Sequence, residues 1–184
     1  LEWAISSHKK FPPSDGAGDL QALQGDLRTE VLSSGRHWID IDPYGSPAPF
    51  VDSAMQSMAR SGVMEVSATD TAALTGSSKT ALMRRYGARV RTDCLAHDSG
   101  MRVMLSCISR IAARHDRAIE PLLSVWDSHH LRVSFRVMKS VSSANELEER
   151  IGWRVFAPCK EEVAASIDSG LQIENGVDIL PMHC

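Results

Sequence analysis

The rest of the chain is organised around one stretch, His37-Trp38-Ile39-Asp40-Ile41-Asp42-Pro43-Tyr44-Gly45-Ser46-Pro47-Ala48-Pro49-Phe50. The bulky apolar residues before Asp42, with Trp38 among them, predict a buried strand that ends at Asp42. The prolines and the glycine that follow interrupt regular structure, because proline cannot donate a hydrogen bond to a sheet. Residues 51–60 then have the apolar spacing of a helix. The stretch is therefore predicted to be a strand, a rigid loop and a helix.

A carboxylate and an aromatic ring thus come at the carboxyl end of the predicted strand, where ligands bind in open α/β sheets. The Asp42 carboxylate and the Pro43 carbonyl offer two acceptors to an exocyclic amine, and the Tyr44 ring can stack on a base removed from its helix. Amino-methyltransferases that act on nucleobases use this arrangement, usually spelled Asp/Asn-Pro-Pro-aromatic. On its own, an Asp-Pro-Tyr sequence is more often only a proline-rich turn after a strand.

A second strand is predicted just after this unit. Gly62 is expected to close the helix, and residues 63–68 read as a strand that ends in Thr69-Asp70-Thr71. Two neighbouring strands that each bring an aspartate to one edge of a sheet make the kind of cleft that binds a ligand. Asp70 is equally well explained as the cap of the following helix.

A basic run without acidic neighbours follows. Residues 79–91 contain these basic residues and no aspartate or glutamate: Lys79, Arg84, Arg85, Arg89 and Arg91. Such a run suits contact with phosphates, which dominates affinity for nucleic acids. A solvated helix face is the alternative reading.

The second half of the chain is predicted to close the sheet. Residues 101–113 form the clearest helix pattern, and His97-Asp98 precede it and are expected to cap it. Residues 118–126 and 131–139 are rich in Val, Leu and Phe and indicate an antiparallel pair. Asp127-Ser128-His129-His130 lie between them. No cysteine or third ligand follows at a metal-ligand spacing, so the histidines are expected in a turn or against RNA, and no metal site is predicted.

The two ends of the chain are predicted to be less regular. Residues 1–22 are polar and carry Pro12-Pro13, which indicates a loop. Residues 140–145 indicate a polar linker. The segments after it are predicted to be a helix at 146–150, a strand at 152–156, a helix at 160–169, and a strand with a turn at 171–180.

The composition is that of an ordinary globular protein, with 184 residues, 23% charged and 43% hydrophobic. No apolar run reaches membrane-spanning length. The net charge of -3 does not advertise nucleic-acid binding, so contact with RNA requires a local basic face. The four cysteines form no CxxC pair, which favours a reducing, intracellular setting, with Cys107 as a buried thiol. The expected location is the cytoplasm, or the nucleus or an organelle if the source is eukaryotic.

Several motifs that occur in order along residues 26–137 identify a family. They are Asp42-Pro43-Tyr44-Gly45-Ser46-Pro47 followed by Phe50, Asp52, Ser53 and Ala54; Ala68-Thr69-Asp70-Thr71-Ala72; Arg85-Tyr86-Gly87-Ala88; Ile119-Glu120-Pro121-Leu122-Leu123-Ser124; and His129 with Arg132-Val133. In these motifs the chain resembles the tRNA (guanine-N2-)-dimethyltransferase family. Several independent motifs in family order are far more specific than any one of them.

The resemblance implies an α/β fold. Residues 1–139 would be the later half of a Rossmann-like methyltransferase domain, and residues 140–184 a linker and the beginning of a C-terminal α+β domain that binds tRNA. The family's glycine-rich cofactor loop would precede this region, so the chain is expected to be an internal fragment that is inactive alone. Cys184 either opens a zinc-binding pair, as in some family members, or is simply a terminal cysteine.

The resemblance also implies an activity, the transfer of methyl groups from S-adenosylmethionine to the exocyclic N2 of a guanosine in tRNA, conventionally position 26. Both N2-methylguanosine and N2,N2-dimethylguanosine would be formed. No obligate protein partner and no membrane are expected.

The same resemblance implies roles for particular residues. The catalytic residues would be Asp42, Pro43 and Tyr44, with Tyr in place of the family's usual Phe. The cofactor would be held by Asp26, Leu27 and Asp42, although Gly25-Asp26 alone is as readily a turn or a helix cap. The residues expected to contact RNA are Tyr44, Ser46, Thr69, Asp70, Thr71, Lys79, Arg84, Arg85 and His129.

Two other functions remain open from the sequence. One is an amino-methyltransferase of a different nucleobase, such as adenine at N6, which the single proline before the ring and the Gly45-Ser46-Pro47 tail disfavour. The other is a non-catalytic RNA-binding module. The lack of a glycine-rich cofactor loop in this sequence supports that alternative. Analysis of the methylated nucleoside distinguishes all three.

Overall fold

The central stretch forms the parallel part of a four-stranded sheet. In the computed structural model, which describes residues 2–10, 21–33, 35–155 and 179–183, strand β1 (Arg36–Ile41) pairs in parallel with β2 (Met58–Ala68). Strands β3 (Arg117–Asp127) and β4 (His130–Lys139) form an antiparallel hairpin, and β4 also pairs antiparallel with β2, so the order is β1-β2-β4-β3. The mixed sheet and its helices confirm the predicted α/β class.

The remaining described elements connect or flank this sheet. The helices are α1 (Glu2–Lys10), α2 (Leu27–Glu30), α3 (Ala48–Ser57), α4 (Thr71–Leu74), α5 (Lys79–Tyr86), α6 (Ala96–Ala113), α7 (Val141–Asn145) and α8 (Leu147–Arg150). A 3₁₀ turn, Val31–Ser33, follows α2. Strands β5 (Ile151–Val155) and β6 (Ile179–His183) form a separate antiparallel pair.

The core lies on one face of the sheet. Met64, Val66 and Phe135 project from β2 and β4 and are fully buried. Helices α3 and α6 contribute buried apolar residues at helical spacing to the same cluster, for example Met55 and Met104. The fold therefore rests on alternation within the strands and on the apolar stripes of two helices.

The opposite face of the sheet carries an ion-pair network across three strands. The Arg132 guanidinium on β4 donates to Asp40 on β1 at 2.8 Å and, through Nε, to Glu65 on β2 at 2.8 Å. The hydrogen bond to Asp40, followed by that to Glu65, raises the pKa of Arg132. Since this face is polar, the network links the strands without burying apolar surface.

The central strand is less buried than predicted. It ends at Ile41, one residue before Asp42, and only Ile39 and Ile41 are buried, whereas Trp38 is 66% exposed. The prediction of a strand buried throughout was wrong, because β1 alternates between the helix-covered face and the polar face of the sheet.

The next two boundaries also differ from the sequence prediction. Helix α3 begins at Ala48, earlier than predicted, because proline is tolerated in the first turn of a helix. It ends at Ser57. The backbone turns extended at Met58, so residues 58–60 open β2 instead of closing the helix. Gly62 lies inside β2, where an added Cβ would come within 2.5 Å of the His37 carbonyl oxygen. Close approach to β1 explains this glycine better than helix termination does.

Three further predictions were wrong. Helix α6 starts at Ala96, so His97-Asp98 lie in its first turn, where Asp98 pairs with Arg102. Residues 141–145 form helix α7 instead of a linker, because the Ser140 side chain caps it by accepting from the Ser143 amide. At the start of the chain the loop prediction is wrong for residues 2–10, which form α1, whereas Pro12-Pro13, on which it was based, lie outside the described residues.

The later elements are partly described. The predicted helix at 146–150 and strand at 152–156 are confirmed as α8 and β5 within one residue at each end. The predicted helix at 160–169, most of the segment 171–180, and Cys184 lie outside the described residues. The division into domains at residue 139 stays a prediction. Among the described helices, none is both long and apolar enough to span a bilayer.

Candidate functional site

The loop between β1 and α3 stands at the carboxyl edge of the sheet. Asp42 is exposed and Tyr44 is fully exposed, with no packing against the rest of the described chain. Gly45 has a φ of +84°, a conformation that side chains disfavour, and it turns the loop back toward β2. The loop thus presents an exposed carboxylate and, two residues later, an exposed aromatic ring.

Two hydrogen bonds fasten this loop to the end of β2, one of them to a side chain. The Gly45 amide donates to the Thr69 hydroxyl at 2.7 Å, and the Thr69 amide donates to the Gly45 carbonyl at 3.0 Å. The loops after both parallel strands therefore adjoin, as the sequence predicted from the aspartate that follows each strand.

A partly buried hydrogen-bond chain holds the loop from its other side. The Tyr86 hydroxyl on α5 donates to Asp70 Oδ1 at 2.8 Å, and Arg85 donates to Asp70 Oδ2 at 3.0 Å. Burial raises the pKa of Tyr86, so its hydroxyl keeps its proton. Because that proton points to the carboxylate, the Ser46 hydroxyl donates to the Tyr86 oxygen, at 2.9 Å. We refer to Ser46, Tyr86, Asp70 and Arg85 as the anchor network.

The sequence left two interpretations of Asp70, a residue of a ligand-binding cleft or the cap of the following helix, and the anchor network tests both. Asp70 occupies the N-cap position of α4, but its side chain makes no capping hydrogen bond. Its carboxylate is instead used by Tyr86 and Arg85, and its side chain is only 8% exposed. Asp70 therefore joins α5 to the carboxyl edge of the sheet, which neither sequence reading anticipated.

Tyr86 is the residue that sequence reasoning missed as part of the site. It lies four positions after Leu82, on the buried face of α5. A buried tyrosine usually finds a partner for its hydroxyl, so its place on an apolar helix face was a signal. The partners themselves lie 16 and 40 residues away in sequence, which spacing does not reveal.

Asp26 is used locally as a helix cap. Its carboxylate accepts from the Arg28 amide at the start of α2, at 2.9 Å, and pairs with the Arg28 guanidinium. The side-chain hydrogen bond from Arg28 lowers the pKa of Asp26 to about 2. Leu27, beside it, is 38% exposed. The Asp26 side chain is itself 44% exposed, so its carboxylate can still accept a hydrogen bond from another group.

The other predicted contact residues are spread around the same edge. Thr71 begins α4, and Lys79 and Arg84 are exposed on α5. His129 is exposed in the turn between β3 and β4. Because Leu131 pairs with Ala68, that turn lies at the edge from which Asp70 follows. Within the described ranges, no three His, Cys, Asp or Glu side chains gather as a metal would require.

The anchor network gives a stability prediction. We expect Tyr86→Phe to lower the free energy of unfolding by about 1–3 kcal/mol, because Asp70 keeps its carboxylate in a mostly buried place and loses a donor. Urea unfolding of both proteins measures the difference. The chain's other tyrosine supplies the control, since Tyr44→Phe removes a hydroxyl from a fully exposed ring. Equal stability changes in the two variants would contradict the network.

Residues 25–175 match the family model described as N2,N2-dimethylguanosine tRNA methyltransferase. The tRNA (guanine(26)-N(2))-dimethyltransferase of Thermoplasma volcanium is 43% identical over 63% of this chain and 34% of that protein. The enzyme of the same name from Archaeoglobus fulgidus is 37% identical over 74% of this chain and 38% of that protein. The chain thus spans about a third of the length of the curated relatives it matches.

A solved structure is also similar. Trm1 from Pyrococcus horikoshii, in complex with S-adenosyl-L-methionine, superposes with a TM-score of 0.72 and 25% sequence identity. The match covers 97% of this chain and 47% of that one.

Proposed function

The chain belongs to the N2,N2-dimethylguanosine tRNA methyltransferase family, and we therefore propose that its Asp42 loop takes part in methyl transfer from S-adenosylmethionine to the exocyclic N2 of a guanosine in tRNA. The target would be guanosine 26, the position in the names of the relatives. The observation that carries the proposal is the loop itself. It combines an exposed carboxylate, a proline carbonyl and an unpacked aromatic ring, and it is fastened on both sides.

Asp42 would act on the amine of the target base. Its carboxylate and the Pro43 carbonyl accept the two N2 hydrogens, which turns the nitrogen lone pair out of the plane that these acceptors occupy. When bound, S-adenosylmethionine supplies an activated methyl group. As the bond between N2 and the methyl carbon forms, the bond from that carbon to the cofactor sulfur would break; N2 then becomes more acidic, and Asp42 takes its proton. Guanine N2 carries two hydrogens, so the same carboxylate can serve two successive transfers.

Tyr44 would hold the base once it leaves the helical stack. Its ring is fully exposed, so a flipped guanine can reach its face without moving other side chains. The anchor network keeps the loop in place, because Ser46, two residues on, is bonded to Tyr86. We assign Ser46 and Asp70 to positioning this loop beside the RNA.

The cofactor would be held partly by α2. Asp26 and Leu27 are a partly exposed acceptor and a partly exposed apolar side chain, which suit the exocyclic amine and the face of an adenine ring. We therefore assign both residues, together with Asp42, to cofactor contact. Further contacts would come from the glycine-rich loop that the family places before this region.

The remaining RNA contacts would surround the same edge. We assign Thr69, Thr71 and His129 to it, with Lys79, Arg84 and Arg85 on α5 supplying positive charge. Arg85 already pairs with Asp70 and is 40% exposed, so its contribution would be shared between the two. Residues 140–184 would begin a domain that also holds tRNA, in a cytoplasmic enzyme.

The test is direct. The full-length protein is incubated with an unmodified tRNA transcript and methyl-labelled S-adenosylmethionine, and the digested RNA is analysed by nucleoside mass spectrometry. We expect label in N2-methylguanosine and N2,N2-dimethylguanosine. Label in N6-methyladenosine would overturn the proposed target and keep the amine chemistry. Bound tRNA without label would indicate an RNA-binding module.

A further inference from the structure

A groove runs along helix α5. The same helix is hydrogen-bonded to the Asp42 loop through Tyr86. Its volume is about 510 Å³, within the range of ligand sites. Leu82 and Val90 line it and are almost completely buried, and Met83 is partly exposed. The groove therefore combines an apolar floor with a solvent-facing opening.

The other side chains around the groove are mostly cationic. Lys79, Arg84 and Arg89 line it and are exposed. None of the three forms an ion pair with a described carboxylate, whereas Arg28, Arg85, Arg102, Arg132 and Arg136 all do. The sequence from 79 to 91 contains no acidic residue. Positive charge is thus left uncompensated here, although the whole chain is net negative at -3.

Helix α5 lines the groove and also contacts the Asp42 loop, which lies between β1 and α3. Met83 lies in the groove, and Tyr86, three residues later, is bonded to Ser46. Three residues of helix advance about 4.5 Å along its axis. An RNA strand with one nucleotide at the Asp42 loop can therefore place a neighbouring nucleotide against α5.

We propose that this groove binds the sugar-phosphate backbone of tRNA at a nucleotide next to the methylated guanosine. The three cations would contact phosphate oxygens, and Met83 and Val90 would face the sugar or base. A polyanion complements uncompensated positive charge, and the apolar floor suits a nucleotide better than a free inorganic anion. The inference rests on the proposed function, and it adds Arg89 and Met83 to the RNA contacts.

The salt dependence of binding tests this inference. The affinity of the full-length protein for a tRNA transcript is measured between 50 and 200 mM salt, for the native protein and for the triple variant Lys79→Gln/Arg84→Gln/Arg89→Gln. Affinity falls as salt rises, so the slope of log affinity against log salt is negative. We expect the triple variant to make this slope shallower by about 2–3, since each lost phosphate contact removes roughly 0.7–0.9 from its magnitude. A single variant, Met83→Glu, should also weaken binding by placing a carboxylate in the groove.

Arg114→Gln is the matched control. Arg114 is exposed at the end of α6, and Arg117 just after it bonds to the Met58 and Ala59 carbonyls at the start of β2. It therefore lies at the edge of the sheet opposite to Asp70, and its substitution should leave slope and methylation unchanged.

Two outcomes would overturn the inference. An unchanged slope in the triple variant, with Met83→Glu binding normally, would show that the backbone passes elsewhere. A native protein that does not bind tRNA would also exclude it. The proposed function fails separately, if tRNA binds with a slope that depends on the groove but no guanosine is methylated.

Discussion

Asp42→Ala is expected to lower the methylation rate at saturating tRNA by roughly 10²–10⁴-fold, the usual contribution of a positioned general base. The side chain is exposed at the carboxyl edge of the sheet, and the fixed neighbours Gly45 and Ser46 keep the backbone in place when it is removed. The dissociation constant for tRNA should change little, because the carboxylate contributes no favourable charge to phosphate binding. The loss therefore belongs to the chemical step.

Single-turnover methylation and tRNA binding, measured on the same preparations, separate the two effects. Asp42→Asn keeps the size of the side chain and one acceptor oxygen but cannot take the proton, so its rate should lie between those of the native protein and Asp42→Ala. Asp40→Asn is the matched control two residues earlier, on β1, since Asp40 pairs with Arg132 on the polar face of the sheet. Normal turnover in Asp42→Ala would rule out the assigned role, and an equal loss in Asp40→Asn would indicate a structural cause.

The sequence predicted those parts of the site that depend on local spacing. Apolar residues before Asp42 and prolines after it define a strand and a loop, whatever surrounds them. Asp70 follows the next strand, and parallel strands place their carboxyl ends at one edge. The hydrogen bonds between Gly45 and Thr69 confirm that the two loops adjoin.

The sequence did not predict features that depend on distant contacts. The bond from Ser46 to Tyr86 joins residues 40 positions apart, and only the packing of α5 against the sheet brings them together. The exposure of Trp38 depends on which face of β1 a helix covers, a property of the layers and not of the strand. Gly62 looked like a helix terminator because its close contact with the His37 carbonyl is invisible in sequence.

Tyr44→Ala is expected to lower kcat/KM for tRNA by roughly 5- to 150-fold, because stacking of a base on an aromatic side chain is worth about 1–3 kcal/mol. Folding should be unaffected, since the ring is fully exposed and packs on no described residue. Tyr44→Phe keeps the ring and should retain nearly all of the activity, whereas Tyr44→Leu keeps apolar bulk without a π face and should resemble Tyr44→Ala. Initial methylation rates over a range of tRNA concentrations, with thermal unfolding of each variant, provide the measurement. If Tyr44→Leu were as active as Tyr44→Phe, Tyr44 would fill space beside the base, and stacking would have to come from another ring.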